Sequence, residues 1–256
     1  MIHTVWNALL YKPLINALAT LVSIVPGGDV GLAVIILTIL VKLILFPFSQ
    51  KAIKNQAAMS IMAPELDKIK KSGASKEEQA RLTFELYKTH KTNPFSSLFL
   101  ILIQIPIIFA LYYVFFKGIN FESGMLYSFI HVPQKINMIF LGVIDLAGKS
   151  LPLAILAGVS QYFQAHFMPK PKPVTNPTGS FGESLAKSMQ MQMKYILPLL
   201  ITWIAYSISG AVALYWIASN IFAVGQQIYV NKTEKKVLDD EVKILIKEKE
   251  SPKKLS

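Results

Sequence analysis

The sequence contains no cysteine. Structural disulfides and thiolate metal sites are therefore excluded, and with them a lipidated N-terminal cysteine. Arginine is nearly absent: Arg81 stands alone among 26 basic residues. Charge of any kind is scarce, at 16% of residues, whereas 53% are hydrophobic and the mean hydropathy is +0.45. That is too apolar for an ordinary soluble domain and points to an all-α polytopic membrane protein. The 15 acidic residues all fall outside the apolar runs. An ion-coupled carrier, which usually uses an intramembrane carboxylate, is disfavoured for that reason. No HExxH, GxSxG or GxxxxGK is present. The four histidines, His3, His90, His131 and His166, show no metal-ligand spacing. An enzyme is thus not expected, nor a cofactor or metal site. The first residues lack a basic stretch leading into a short apolar core with a cleavage site, so no cleaved signal peptide is expected.

Five apolar segments are long enough to cross about 30 Å of hydrocarbon as helices. They lie at 31–48, 95–116, 151–168, 193–209 and 211–230, and Ser209-Gly210 leaves room only for a tight hairpin between the last two. Residues 1–28 carry apolar residues at helical spacing, interrupted along their whole length by His3, Asn7, Lys12, Asn16 and Thr20. This pattern predicts an amphipathic helix lying in the membrane interface rather than a sixth span. Pro26-Gly27-Gly28 breaks it, and Asp29 can cap the first span, 29–48. SKEE, from Ser75, is a capping box. Together with Ser72-Gly73 and Asn93-Pro94 it predicts a helical hairpin over 49–94. The Pro-, Gly- and Lys-rich loop within 169–192 should be extended, and 231–256 reads as a basic tail. Of the 26 basic residues, nine lie in 49–94, four in 169–194 and eight after 230. The N-terminus and the loop 117–150 then fall outside the cell, and the hairpin and tail inside.

Lys42 lies within the run ILTILVKLILFPF, with no carboxylate at its depth. Three readings are open: a side chain that snorkels to the headgroups, a lysine held uncharged by burial, or a charge in a wet cavity. Gln104, Gln161, Ser219 and Asn220, with Gln164 and Gln226, put further polar groups in the spans, and Pro106, Pro152 and Pro198 interrupt them. Any one of these is ordinary interhelical glue or a kink. Spread over several spans, they suggest a shared hydrated interior.

The order of WNALLYKPLINAL, LTILVKLILFPFSQKAIKNQ, MAPELDKIK, FELYKTHKTNPFSSLFLILIQIPIIFALYYVF, YILPLL and LYWIASNIFAVGQQ resembles the YidC family of membrane protein insertases, with its mitochondrial Oxa and chloroplast Albino relatives. The resemblance covers about residues 5–232. It implies a five-transmembrane-helix bundle with a hydrophilic groove open to the cytoplasm and to lipid, and a cytoplasmic helical hairpin. It also implies a bacterial plasma membrane location, in a short form without a large external domain. The family's groove arginine corresponds to Lys42, which keeps the charge but not the planar fork. The family often has a proline near 209–211, where this chain reads Ser209-Gly210-Ala211.

The function so implied is an insertase that receives hydrophobic client segments in the groove and releases them into lipid without nucleotide. Lys42, Gln104, Gln161, Ser219 and Asn220 would line the groove. Tyr215, Trp216 and Pro106 would touch the client segment, although Tyr215 and Trp216 read equally well as interfacial belt aromatics. Glu65, Lys68 and Arg81 would present the hairpin. Nascent membrane proteins are the expected partners, joined by the ribosome, signal-recognition machinery, the Sec translocon and anionic lipids; DNA is not. The rival reading is a small-solute transporter or channel. It would predict an inverted repeat, and the halves of this chain show none. A passive membrane anchor would explain the spans but not the polar residues among them.

Overall fold

The structure is a computed structural model that describes residues 6–90, 92–93, 109–110, 113–114, 121, 124, 126–168 and 191–250, the last 17 of these by backbone alone. The segment 95–116 lies almost wholly outside the described residues, as does 169–190.

Seven α-helices make up the described residues, with one two-strand ribbon. They are α1 (Lys12–Ile24), α2 (Val30–Ile44), α3 (Phe46–Lys71), α4 (Lys76–Thr89), α5 (Leu151–Phe167), α6 (Leu197–Ser207) and α7 (Gly210–Glu250). The ribbon pairs β1 (Ile139–Phe140) with β2 (Ile144–Asp145), antiparallel. Helix α7 packs between α2 and α5, α5 packs on α6, and α1 leans on α2. Leu18, Val22, Val34, Leu37, Leu153, Ala157, Ala205 and Ala213 form one buried apolar core between these helices. Two helices are long and apolar enough to cross a bilayer, Asn7–Ile24 and Gly210–Thr233, or three spans if the bent pair Val30–Ile44 and Phe46–Asn55 is counted as one. The protein is thus a largely helical, multi-pass membrane protein.

Prolines shape the helices. Ahead of Pro13 and Pro198 stand π-helical turns, Asn7–Tyr11 and Gln192–Ile196. In each, the residue before the proline donates five residues back, Lys12 N to Asn7 O and Leu197 N to Gln192 O. The apolar run 31–48 is not one straight helix. It ends at Ile44, and α3 departs at 62°. Pro47 is the cause: it has no N–H for the Leu43 carbonyl, and its ring crowds that carbonyl. At the other end of the chain the helix does not stop at residue 230 but runs on to Glu250.

Asn16, which the sequence reading set among the polar interruptions of an interfacial helix, is 1% exposed. Its Nδ2 donates to Lys12 O (2.6 Å) and its Oδ1 accepts from Tyr127 N (2.7 Å). It therefore pins the 126–150 loop onto α1. A second pin is Asp29, buried at the start of α2. Its Oδ1 accepts from Gly31 N (2.8 Å) and Leu32 N (3.1 Å), and its Oδ2 from Leu141 N (2.8 Å). Val30 N donates to Asn137 O (3.0 Å), Gly210 N to Gly148 O (2.8 Å) and Ala211 N to Leu146 O (3.2 Å). One loop thus caps the ends at which α2 and α7 begin. Asp29→Ala removes a helix cap and strands the Leu141 N–H. It is expected to cost about 2–4 kcal/mol, read as a lowered thermal midpoint in detergent with faster amide exchange at 30–33 and 141.

Candidate functional site

Burial along α2 divides the helix. Ile36, Ile39, Leu40, Leu43 and Ile44 are exposed, whereas Val34, Leu37 and Thr38 are buried. Lys42 stands one turn after Thr38 on the inner line, half-buried. Thr38 satisfies its own hydroxyl on Val34 O (2.7 Å). Lys42 has no hydrogen bond or ion pair with any described residue.

Helix α7 supplies the facing polar groups because its polar residues recur at a spacing of seven. Ser219 and Gln226 fall on one stripe, Asn220 and Gln227 on the next, and all four are buried. Gln226 Nε2 donates to Ser49 Oγ (2.7 Å) and to Phe46 O (3.2 Å), tying α7 to the first turn of α3 just past the bend. On the other side Asn220 Nδ2 donates to Ser160 Oγ (2.9 Å), which donates to Ala157 O (2.8 Å). Gln161, next in α5, is buried. Gln227 bonds Asn231 (2.9 Å) along its own helix. Helix α7 thus turns buried amide groups towards α3 on one side and towards α5 on the other, and Lys42 lies half-buried on the inner line of the neighbouring α2. Sequence reasoning did not single out Ser49 and Ser160, the partners of Gln226 and Asn220. Gln226 was legible as a buried-span amide, but the serines carry no signal of their own.

Other expected residues fall differently. Gln104 and Pro106 lie outside the described residues. Tyr215 is buried in the apolar core, and Trp216 packs on the edge of that core. Arg81 is exposed and bound within its own helix, by Nε to Glu78 Oε2 (2.9 Å) and Nη1 to Glu85 Oε1 (3.1 Å). That guanidinium, hydrogen-bonded to Glu78, holds its carboxyl below the usual carboxylate range. Ser75 Oγ accepts from Glu78 N (3.2 Å), capping α4. Glu65 approaches His90 Nε2 at 3.9 Å, a contact between α3 and the end of α4, and Lys68 is exposed. No group of three or more metal-ligating side chains occurs among the described residues.

Residues 21–237 match the family model described as 60Kd inner membrane protein. The chain belongs to that family, which includes the YidC proteins. A membrane protein insertase YidC of Clostridium tetani is 33% identical over 214 residues, 82% of this chain and 86% of the relative. Those of Pelobacter propionicus and Magnetococcus marinus are each 29% identical over 228 residues, 89% of this chain. Against these two larger relatives the chain spans only 39% and 36% of the length. Membership of the YidC family also fixes the setting as a bacterial membrane.

Proposed function

We propose that this protein is a membrane protein insertase. A hydrophobic client segment enters the interior between α2, α5 and α7, its polar flank is passed through, and the segment leaves sideways into lipid. The reading is supported by two buried polar contacts of α7, Gln226 with Ser49 and Asn220 with Ser160, inside helices whose outer faces are apolar, and by the half-buried cation Lys42 on the adjoining α2. Such groups supply hydrogen bonds part-way across a barrier that otherwise leaves each polar group unsatisfied. In this reading the barrier is also short. Lys149 lies over the Tyr206 ring (5.8 Å) at one end of α6 and Lys194 over Tyr195 (5.2 Å) at the other. The two tyrosines are eleven positions apart, about 17 Å of helix against about 30 Å of ordinary hydrocarbon.

In this reading the bundle has five spans, with the second formed by 95–116 and contributing Gln104 and Pro106. The first 28 residues lie along the outer surface, and the basic segments 49–94, 169–194 and 231–256 face the cytoplasm. Lys42 attracts acidic residues in the translocating tail. Trp216 and Tyr215 line the exit once the client parts the helices. The hairpin of α3 and α4, through Glu65, Lys68 and Arg81, meets the ribosome, signal-recognition machinery or the Sec translocon, and anionic lipids meet the lysines. Burial of the client's apolar surface drives the step, so no nucleotide is consumed.

Vesicles containing only this protein should insert a single-span client and shield its short tail from added protease. A shielded fraction no greater than that of protein-free vesicles refutes the reading. Accessibility is a separate check, and the cysteine-free background suits it. Single cysteines at 42, 160 and 220 should react with a water-soluble thiol reagent from the cytoplasmic side. Positions 39 and 43, on the lipid face of α2, should not.

A further inference from the structure

The β1–β2 turn is built from the wrong residues for water. Turns that join two strands take Gly, Asn or Asp, because one or more positions need positive φ. Here the turn is Leu141-Gly142-Val143. Leu141 is held at φ 51, a conformation that costs a side-chain-bearing residue roughly 1–2 kcal/mol. What holds it is Asp29, whose Oδ2 accepts from Leu141 N. The inner residues Phe140 and Ile144 pack against the core. The strained turn therefore presents the other side chains outward, Leu141 at 64% and Val143 at 82% exposure. Phe129, nearby in the same loop and stacked on Tyr127, is 75% exposed. A loop this well fixed by hydrogen bonds does not expose large apolar groups for want of order.

We infer that this turn is a membrane anchor whose occupant is the lipid bilayer at the outer rim of the bundle. Three observations favour lipid over a second protein. The loop is bonded to the first residues of α2 and α7 and ends one residue before α5, so its tip stands at the rim of the spans. Helix α5, which follows the loop directly, opens with exposed Leu151. The surroundings are basic, with exposed Lys135 and Lys149 against Asp145, whose Oδ1 is engaged by Ala147 N (2.9 Å). Apolar tips below and ammonium groups at phosphate level are what an interface rewards. The anchor fixes, through Asp29, the tilt of α2, the helix that carries Lys42. Which leaflet it enters follows from the orientation proposed above, but lipid contact does not.

The test is Val143→Cys in the full chain, labelled with an environment-sensitive fluorophore and reconstituted in phosphatidylcholine–phosphatidylglycerol vesicles. Ala147→Cys serves as the reference. Headgroup-level nitroxide lipids, present in both leaflets, should quench position 143 severalfold more than position 147, and aqueous iodide severalfold less. Adding Leu141→Asn, which suits the left-handed backbone and removes the apolar group, should lower lipid quenching while thermal stability holds. Iodide quenching equal at the two positions overturns the inference. Shielding from both quenchers also overturns it and assigns the turn to a protein contact. The readout does not depend on client insertion, so this anchor and the insertase reading fail separately.

Discussion

Vesicles carrying Lys42→Glu are expected to insert a client with an acidic translocated tail about tenfold more slowly than the unaltered protein. In the proposed function Lys42 is the cation that faces the client, and it has no ion pair with any described residue. In that reading its charge acts on a passing chain. Two unit charges about 4 Å apart interact by about 4 kcal/mol at an effective dielectric of 20. Water around the pair reduces this, and a remaining difference of about 1.4 kcal/mol is already tenfold in rate. Reversal to glutamate exchanges attraction for repulsion and should act most strongly. Lys42→Ala removes the attraction alone and should fall between. Lys42→Arg retains the charge and should insert normally, since attraction by a point charge needs no planar fork. A client with a neutral tail is the control, expected to insert alike through all four proteins. Undiminished insertion of the acidic client by Lys42→Glu sinks the charge role, and so does an equal loss for both clients.

Much of this arrangement is visible in the sequence, and the reason lies in which forces act locally. The apolar runs at 151–168 and 211–230 locate α5 and the span of α7 because burial in lipid needs only composition and length. Asp29 and Ser75 mark helix starts because a cap bonds within three residues of itself. The bend after Ile44 was less legible. Apolarity continues unbroken to Phe48 and by itself predicts one helix, although Pro47 signals a break. Asn16 shows the other kind of failure. Its polarity suggested a headgroup position, but its partner, Tyr127, lies 111 residues away, and no local pattern reports such a distant bond. The polar contacts of α7 suffer likewise: Ser219, Asn220 and Gln161 stand out as polar residues in apolar runs, but Ser160 and Ser49 are recognisable only once α7 has brought Asn220 and Gln226 against them.

Gly158→Val is expected to be the most destabilising single change at the α5–α6 contact, by about 3 kcal/mol. The two helices approach so closely there that a Cβ on Gly158 would overlap Thr202 Oγ1 and lie 2.9 Å from Pro198 O. Thr202 cannot swing away without loss, because its hydroxyl donates to that same Pro198 carbonyl (2.9 Å). The carbonyl is backbone within a helix that begins at Leu197, so it cannot retreat either. A valine must therefore push α6 off α5. The consequence reaches α7, since Ser160 is two residues along and holds Asn220. Thermal unfolding in detergent should show a lowered midpoint, and a cysteine at 220 should become more reactive. Thr202→Ala in the same chain removes one of the two obstructions but leaves the carbonyl. A double-mutant cycle should then recover part of the loss, with a coupling of about 1 kcal/mol. Full additivity of the two changes would mean that the helices are not held apart by this contact, and that Gly158 is there for its own backbone rather than for the space above it.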